Sequence, residues 1–238
     1  MADLKNKGTL GVIGGMGPLA TAVFFELIVQ NTHAVTDQEH LDIIIYNIPS
    51  MPDRTGFILG RSGESPGPVL SDCAEKLKAG GVAAIAIPCV TATYFYDEVV
   101  GQTGADIINT IDEIADYIVV RGAKKIGLMA TDGTIATKIF QKYMDKYNIE
   151  CITPDEVYQD LVMKAIFQGV KAGRDVDMSE FYSVSEHLMQ RGCDAIILGC
   201  TELSVVNRQH KLDTNIFVDA LVVLARASIL RCGGAVKA

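Results

Sequence analysis

The sequence predicts an α/β protein of two similar lobes, each a mostly parallel sheet flanked by helices, with the functional site in the cleft between them. Three observations predict this fold. Short apolar runs alternate with amphipathic stretches along the chain, which is typical of βα units. Related motifs recur in the two halves. Of the 238 residues, 49% are hydrophobic and 21% are charged, the composition of a globular protein with a sizeable core.

The expected strands are short, apolar and rich in β-branched residues, as strands covered on both faces of a parallel sheet should be. They are residues 9–13, 42–46, 83–87, 125–129, 195–198 and 216–218. The expected helices are residues 18–32, 69–79, 111–120, 135–147, 155–172, 178–191 and 219–230. The segment 49–68, rich in Pro, Gly and Ser, predicts a long loop, and long loops in compact domains are often functional or mobile.

The two halves of the chain carry matching motifs. Early in each half a strand runs into glycine and threonine, at residues 8–17 and 125–133. Later in each half a strand ends in a turn that contains cysteine and threonine and continues into a helix, at residues 84–93 and 195–203. This duplication predicts two lobes of similar construction that face each other.

The repeated motifs also predict where the lobes divide. Cys89 and Cys200 belong to the two later motifs and lie about half the chain apart, so each lobe would present one cysteine to the cleft. We expect a first lobe of residues 1–105 plus 206–238 and a second lobe of residues 106–205, with the final helix packing on the first lobe.

The charge and cysteine content exclude several classes of function. The net charge is −8 without a block of five like charges, which excludes a general affinity for nucleic acids or anionic membranes. No window reaches the roughly 18 apolar residues of a membrane helix, and residues 1–7 lack the apolar stretch of a signal peptide. The six scattered cysteines form no CxxC pair, so we expect a cytoplasmic protein with reduced thiols and no metal site.

Cys89 and Cys200 are the strongest candidates for chemistry. Each follows an expected strand, at the edge where open α/β sheets bind ligands, and each precedes an expected helix whose N-terminal amides favour a thiolate. Thr91 and Thr201 lie beside them, suited to cap those helices or to donate hydrogen bonds to a carboxylate. The other cysteines are interpreted as ordinary buried residues. They are Cys73, Cys151, Cys193 and Cys232.

Two thiols on opposite sides of a cleft suit the inversion of a carbon centre. One thiolate removes the proton from the α-carbon and the other thiol returns a proton to the opposite face. The roles exchange when the reaction reverses, and such a pair titrates as a coupled unit. Backbone amides and hydroxyls of the two cysteine turns would stabilise the enolate-like intermediate.

Four segments together resemble one family. They read Gly-Gly-Met-Gly-Pro-Leu-Ala-Thr at residues 14–21, Pro-Asp-Arg-Thr at 52–55, Pro-Cys-Val-Thr-Ala-Thr at 88–93 and Gly-Cys-Thr-Glu-Leu at 199–203. This combination is similar to the aspartate/glutamate racemase family, along nearly all of the chain. The resemblance implies a two-lobed α/β enzyme that racemises aspartate or glutamate without pyridoxal phosphate, metal or another cofactor, commonly as a homodimer.

The resemblance also implies roles for individual residues. Cys89 and Cys200 match the family's paired acid/base cysteines. Arg54 matches the arginine that binds the substrate's distal carboxylate, a role that suits a guanidinium, and Lys171 falls where the family often has a substrate-binding lysine. Glu202 could assist at the second thiol or form a structural hydrogen bond to the neighbouring turn. The substrate-binding candidates are Met16, Arg54, Val90, Thr91, Thr93, Lys171, Thr201 and Glu202.

Two residues depart from the family pattern. Val90 stands where the family usually has asparagine, and Thr93 stands where it usually has histidine. Valine cannot donate a hydrogen bond, and a substrate carboxylate left unpaired costs about 1–3 kcal/mol. Both cysteines are present, so the departures bear on substrate choice and turnover rather than on proton transfer.

Other interpretations stay open on the sequence alone. Arg54 could form a surface ion pair with Asp53, and Lys171 could be a solvated helix end. Residues 15–20 fit the G-x-G-x-x-A pattern of dinucleotide folds, although the expected second strand ends in Tyr-Asn rather than in an acidic residue. The alternative functions are a carbanion lyase or isomerase acting on a dicarboxylate, and a non-catalytic binder of acidic metabolites.

Overall fold

The computed structural model of the protein describes residues 7–237, so most of the N-terminal segment on which the signal-peptide expectation rests lies outside it. The chain forms two parallel sheets flanked by helices, which confirms the predicted α/β class. The first sheet has the strand order β2-β1-β3, and the second has the order β5-β4-β6-β7. The strands are β1 (Leu10–Gly14), β2 (Ile43–Asn47), β3 (Ala84–Ala86), β4 (Lys125–Met129), β5 (Glu150–Ile152), β6 (Ala195–Leu198) and β7 (Phe217–Asp219).

Helical segments connect these strands, as parallel pairing requires. The α-helices are α1 (Pro18–Asn31), α2 (Arg54–Ile58), α3 (Gly67–Ala79), α4 (Tyr96–Thr103), α5 (Thr110–Arg121), α6 (Asp132–Ala136), α7 (Ile139–Asp145), α8 (Glu156–Met163), α9 (Met178–Gln190), α10 (Thr201–His210) and α11 (Ala220–Arg231). The 3-10 segments are Asp37–Glu39, Val90–Phe95 and Val170–Ala172, and Lys164–Gly169 is π-helical. Among residues 7–237, no helix combines the length and apolar character that crossing a membrane requires.

The central strands are buried on both faces, which explains their apolar sequences. Every residue of β1, β3 and β6 is buried, and β4 is half-buried only at Lys125. β2 lies at the edge of the first sheet and is half-buried or exposed throughout. β5 is also an edge strand. It has only three residues, and one of them, Glu150, is exposed, so its sequence carries no pattern that predicts a strand.

Two expected helices are interrupted in the structure. Residues 135–147 do not form one helix but fall in α6 and α7, because Lys138 between them has a left-handed backbone with φ of 50° that an α-helix cannot continue through. Residues 155–172 form α8 followed by the π-helical and 3-10 segments. These two segments carry Phe167 and Lys171 to the cleft between the sheets, and π-helical turns are frequent at functional sites.

The end of the chain returns to the first sheet. α11 packs against α1 and β3, and Leu10, Phe24 and Leu224 share one core cluster. β7 instead pairs in parallel with β6 of the second sheet, so grouping all of residues 206–238 with the first lobe is wrong for this strand. A buried strand needs a hydrogen-bonded neighbour, and the free edge of β6 supplies one.

The two halves contact each other closely on one side of the cleft. α2 packs against α6, and a Cβ added at Gly133 of α6 would lie 2.9 Å from Cα of Thr55 in α2. Because that neighbour is a backbone atom, no side chain fits at Gly133 unless the helices separate. This contact therefore fixes how far α2 lies from the second sheet.

Candidate active site

The two cysteine turns lie at the carboxyl ends of strands from different sheets. Cys89 follows β3 and precedes the 3-10 segment Val90–Phe95, and Cys200 follows β6 and is the N-cap residue of α10. Both thiols are buried, with 6% and 5% of each residue exposed. A helix N-terminus favours negative charge, so each turn is suited to hold an anion.

One cleft of about 310 Å³ brings together all of the expected site residues except Thr93. A more open chamber of about 650 Å³ adjoins it, since both are lined by Met16, Arg54, Lys171 and Glu202. The expected residues that line the cleft are Met16, Arg54, Cys89, Val90, Thr91, Lys171, Cys200, Thr201 and Glu202.

Thr93 does not line the cleft. It is half-buried and lines a separate cavity with apolar residues that include Phe95 and Val99. The physical reason is the rise of the 3-10 segment, about 2 Å per residue, which places Thr93 roughly 6 Å further along the segment than Val90. The structure therefore places Thr93 outside the cleft that the other expected site residues line.

Arg54 begins α2, a short helix inside the segment that the sequence predicts to be a loop. Only 8% of the residue is exposed, and its Nη1 donates to the carbonyl oxygens of Met51 and Pro52 at 3.3 and 2.9 Å. Its buried Nε has no hydrogen-bond partner among residues 7–237. Asp53 does not pair with Arg54 but accepts a hydrogen bond from the Gly56 amide at 2.7 Å, so the surface ion pair is wrong. The guanidinium is held in place with donors available for a carboxylate.

Glu202 connects Lys171 to Cys200. Its Oε1 lies 3.0 Å from Nζ of Lys171, and its Oε2 accepts a hydrogen bond from the Cys200 thiol at 3.0 Å. Glu202 is 3% exposed, whereas the side chain of Lys171 is 28% exposed. Nζ of Lys171 also lies 5.4 Å from the ring centroid of Phe167. The interpretation of Lys171 as a solvated helix end is wrong, because its ammonium is engaged inside the cleft.

Burial and charge set the protonation of this group. Burial raises the pKa of the Cys200 thiol well above its ordinary value, the adjacent Glu202 carboxylate raises it further, and the Lys171 charge partly opposes them. Burial alone would lower the pKa of Lys171, but the Glu202 carboxylate, joined by Cys200 and Cys89 when these are thiolates, outweighs it and raises that pKa. Lys171 therefore remains an ammonium, and Cys200 is held as a thiol.

A triangle of buried hydroxyls joins the two halves beside Cys89. Oγ1 of Thr91 lies 3.1 Å from that of Thr131 and 3.0 Å from that of Thr134, and the last two are 3.1 Å apart. Thr131 lines the cleft and also caps α6. Thr131 and Thr134 are not among the site residues expected from the sequence, although the motif at residues 125–133 contains Thr131 and gives a signal for it.

The glycine motif after β1 is explained by close packing. Gly15 has φ of +96°, and a Cβ there would lie 2.4 Å from backbone atoms of Ile48. A Cβ at Gly17 would lie 3.2 Å from Oε1 of Glu202. Glycine at these positions lets the turn pack closely against the backbone that follows β2 and against Glu202. This close packing explains the glycine motif, so the motif does not by itself indicate a dinucleotide site.

The chain is similar to known proteins along nearly its whole length. The broad specificity amino-acid racemase RacX of Bacillus subtilis is 25% identical over 228 residues, which cover 92% of this chain and 96% of the relative. The solved structure of aspartate racemase from Picrophilus torridus matches with a TM-score of 0.85 at 31% identity, over 97% of this chain and 96% of that chain.

A more distant structure shares the fold. Glutamate racemase from Francisella tularensis, in complex with D-glutamate, matches with a TM-score of 0.61 at 18% identity, over 93% of this chain and 79% of that chain. The model of the Asp/Glu/hydantoin racemase family matches residues 13–227. This match agrees with the two-sheet fold and confirms the resemblance drawn from the motifs, so the chain belongs to the Asp/Glu/hydantoin racemase family.

Proposed function

We propose that the protein racemises aspartate or glutamate by two-base proton transfer between Cys89 and Cys200, without pyridoxal phosphate or a metal. The observation that carries the proposal is that one small cleft is lined by a cysteine from each sheet together with the cations Arg54 and Lys171. The names of the relatives support the same class of reaction, since they include an aspartate racemase and a broad specificity amino-acid racemase.

The reaction requires a base on one face of the α-carbon and an acid on the other. The thiolate of one cysteine takes the α-proton, and the thiol of the other cysteine delivers a proton to the opposite face. Between these transfers the α-carboxylate carries an additional negative charge. The amides at the starts of Val90–Phe95 and α10 and the hydroxyl of Thr201 would stabilise that charge.

Arg54 is the proposed anchor for the side-chain carboxylate of the substrate. Its burial, its backbone hydrogen bonds and its place in the lining of the cleft support this role. A charged hydrogen bond in such surroundings contributes about 1.5–3 kcal/mol. Since the anchor recognises a carboxylate, it favours dicarboxylic amino acids over neutral ones.

Thr131 is the proposed replacement for the donor that Val90 lacks. Val90 lines the cleft next to Cys89, and Thr131 lines the same cleft. The hydroxyl belongs to the triangle with Thr91 and Thr134, so a substrate oxygen would extend an existing network. This arrangement would keep the substrate carboxylate paired despite the apolar residue at position 90.

Proton NMR in D₂O tests the proposed function directly. L- and D-aspartate and both glutamates are incubated with the protein without added cofactor, in the presence of a metal chelator. Exchange of the α-proton together with appearance of the opposite enantiomer is expected for at least one pair. Cys89→Ala and Cys200→Ala should each abolish inversion, and Cys73→Ala is the matched control, because Cys73 is buried outside the cleft.

Other products would identify the alternative functions. Release of carbon dioxide or formation of a double bond would indicate a lyase or isomerase. Saturable binding without exchange at the α-carbon would indicate a binding protein. Full inversion activity in Cys200→Ala would refute the two-thiol mechanism.

The homodimer implied by the family resemblance remains a prediction. Cys89 and Cys200 of this chain line one cleft, so the proposed reaction does not require a cysteine from a second subunit. Light scattering coupled to gel filtration would give the mass in solution, and a mass of 25.6 kDa, that of one chain, would contradict the prediction.

A further inference from the structure

The two thiols of the cleft differ in their surroundings. The Cys200 thiol donates to the Glu202 carboxylate at 3.0 Å. The Cys89 thiol has no hydrogen-bonded side chain among residues 7–237. A pair of cysteines that carry out the same chemical step is therefore set in two different electrostatic environments.

We propose that Glu202, held by Lys171, is a positioning residue that keeps Cys200 protonated in the resting enzyme, so that Cys200 is its acid and Cys89 its base. This inference rests on the proposed two-thiol racemisation. It assigns Glu202 to the thiol rather than to the substrate, because both carboxylate oxygens are already engaged, one by Lys171 and one by Cys200.

The charged groups around Cys200 support this assignment. Glu202 is the nearest carboxylate and belongs to the same helix, α10, while Lys171 approaches from the 3-10 segment Val170–Ala172. Arg54 and Asp53 line the cleft from the α2 side, and Cys89 lines it from the first sheet. Of these groups, only Glu202 is hydrogen-bonded to the Cys200 thiol.

In one turnover the substrate loses one proton to Cys89 and gains one proton from Cys200. The Cys89 thiolate takes the α-proton of one enantiomer and becomes a thiol, as the Cα–H bond breaks. The Cys200 thiol gives its proton to the opposite face and becomes a thiolate, as the new Cα–H bond forms. The protein then carries the same total charge with the proton on Cys89, and the Lys171 ammonium compensates the thiolate that now adjoins Glu202. The reverse reaction starts from this form.

Alkylation by iodoacetamide across a pH series tests the inference without requiring any substrate. The extent of modification at each cysteine is measured by mass spectrometry of peptides, since only the thiolate reacts. In the unmodified protein, Cys200 is expected to react only when the pH lies well above the ordinary range of a thiol, because burial and the Glu202 carboxylate raise its pKa.

Glu202→Gln and Lys171→Met should shift the pH dependence of Cys200 alkylation (the Cys200 profile) in opposite directions. Removing the carboxylate should shift the Cys200 midpoint down by about one pH unit or more. At a pH below the midpoint the rate should rise about threefold per unit, because a tenfold gain in thiolate is partly offset by lower nucleophilicity. Removing the ammonium should shift the midpoint up and slow the reaction.

Opposite shifts of the Cys200 midpoint in the two variants distinguish electrostatic control by Glu202 and Lys171 from a general loosening of the structure. A cleft that merely opened would let iodoacetamide react faster in both variants, and that result would overturn the inference. An unchanged Cys200 profile in Glu202→Gln would also overturn it. Asp53→Asn is the matched control, because Asp53 lines the same cleft without bonding a thiol and asparagine can still cap α2.

The alkylation experiment separates this inference from the proposed function. If no amino acid is racemised but the two profiles shift as expected, the proposed function fails and the electrostatic assignment stands. If racemisation is found but the profiles do not shift, the enzyme uses its two thiols without control by Glu202.

Discussion

Replacing Gly133 by alanine tests whether the contact between α2 and α6 sets the geometry of the cleft. The added Cβ would lie 2.9 Å from Cα and 3.1 Å from Oγ1 of Thr55, whereas ordinary contacts are 3.4–4 Å. The hydroxyl can rotate away, but Cα cannot. Relief therefore requires the two helices to separate by about half an ångström or more, and Arg54, which adjoins Thr55, must move with α2.

The expected change in stability is the difference between two effects. Overpacking of a tight contact costs about 1–3 kcal/mol, and alanine is better than glycine inside a helix by about 1 kcal/mol. The free energy of unfolding should therefore fall by about 0–2 kcal/mol. The effect on activity should be larger, because displacement of a positioning group by about 1 Å can lower the rate about a hundredfold. We expect kcat/KM to fall about tenfold to a hundredfold.

Urea denaturation and the α-proton exchange assay measure the two effects separately. Gly101→Ala is the control, because Gly101 lies inside α4 with no atom within 4 Å of the added Cβ. That variant should gain about 0.5–1 kcal/mol and retain full activity. If Gly133→Ala were stabilised as much as Gly101→Ala and kept its kcat/KM, the reasoning from the close contact would be refuted.

Three further predictions follow from single side chains. Arg54→Met should lower kcat/KM for a dicarboxylic substrate about tenfold to a hundredfold, and steady-state kinetics showing no loss would remove Arg54 as the anchor. Asp219 caps α11 and accepts a hydrogen bond from Ser204 at 2.6 Å, so Asp219→Ala should cost about 2–4 kcal/mol in urea denaturation. Asp177→Ala, which removes only an exposed cap of α9, should cost less. Burial raises the pKa of Cys151 from 9.0 to about 12, so the unfolded chain loses this proton first. Cys151 alone should therefore lower the free energy of unfolding by about 1.4 kcal/mol per pH unit as the pH rises above 9, and Cys151→Ala should make the measured slope shallower by about that amount.

The sheets could be predicted because buried parallel strands leave a clear pattern in the sequence. The bounds expected for β4 and β6 agree with the structure, and β1, β2 and β7 are each shifted by one residue. The interruption at Lys138 could not be predicted, because lysine gives no local signal for a left-handed backbone. Tertiary packing imposes that conformation, as it also imposes the π-helical turn after α8.

The site could be predicted where the motif itself carries the side chain. Cys89, Cys200 and their neighbours belong to strand-end turns, and parallel strands bring their carboxyl ends to one edge of each sheet. Phe167 had no such signal, because its place in the cleft depends on the π-helical segment Lys164–Gly169. The position of Thr93 outside the cleft could not be predicted for a related reason, since the 3-10 geometry of Val90–Phe95 is not visible in the sequence.

The different surroundings of the two thiols follow from a sequence difference between the two cysteine turns. The first turn reads Cys-Val-Thr-Ala from Cys89, and the second reads Cys-Thr-Glu-Leu from Cys200, so only the second turn supplies a carboxylate beside its cysteine. A racemase interconverts two enantiomers of equal free energy, and no arrangement of charges in the protein can change that equilibrium. The charges can change only the relative stability of the two protonation forms of the empty enzyme. Glu202 would stabilise the form with a Cys200 thiol, and Lys171 would keep the other form accessible. The asymmetry therefore affects two steps: proton donation by Cys200, whose raised pKa makes it a weaker acid, and the return of the proton between turnovers.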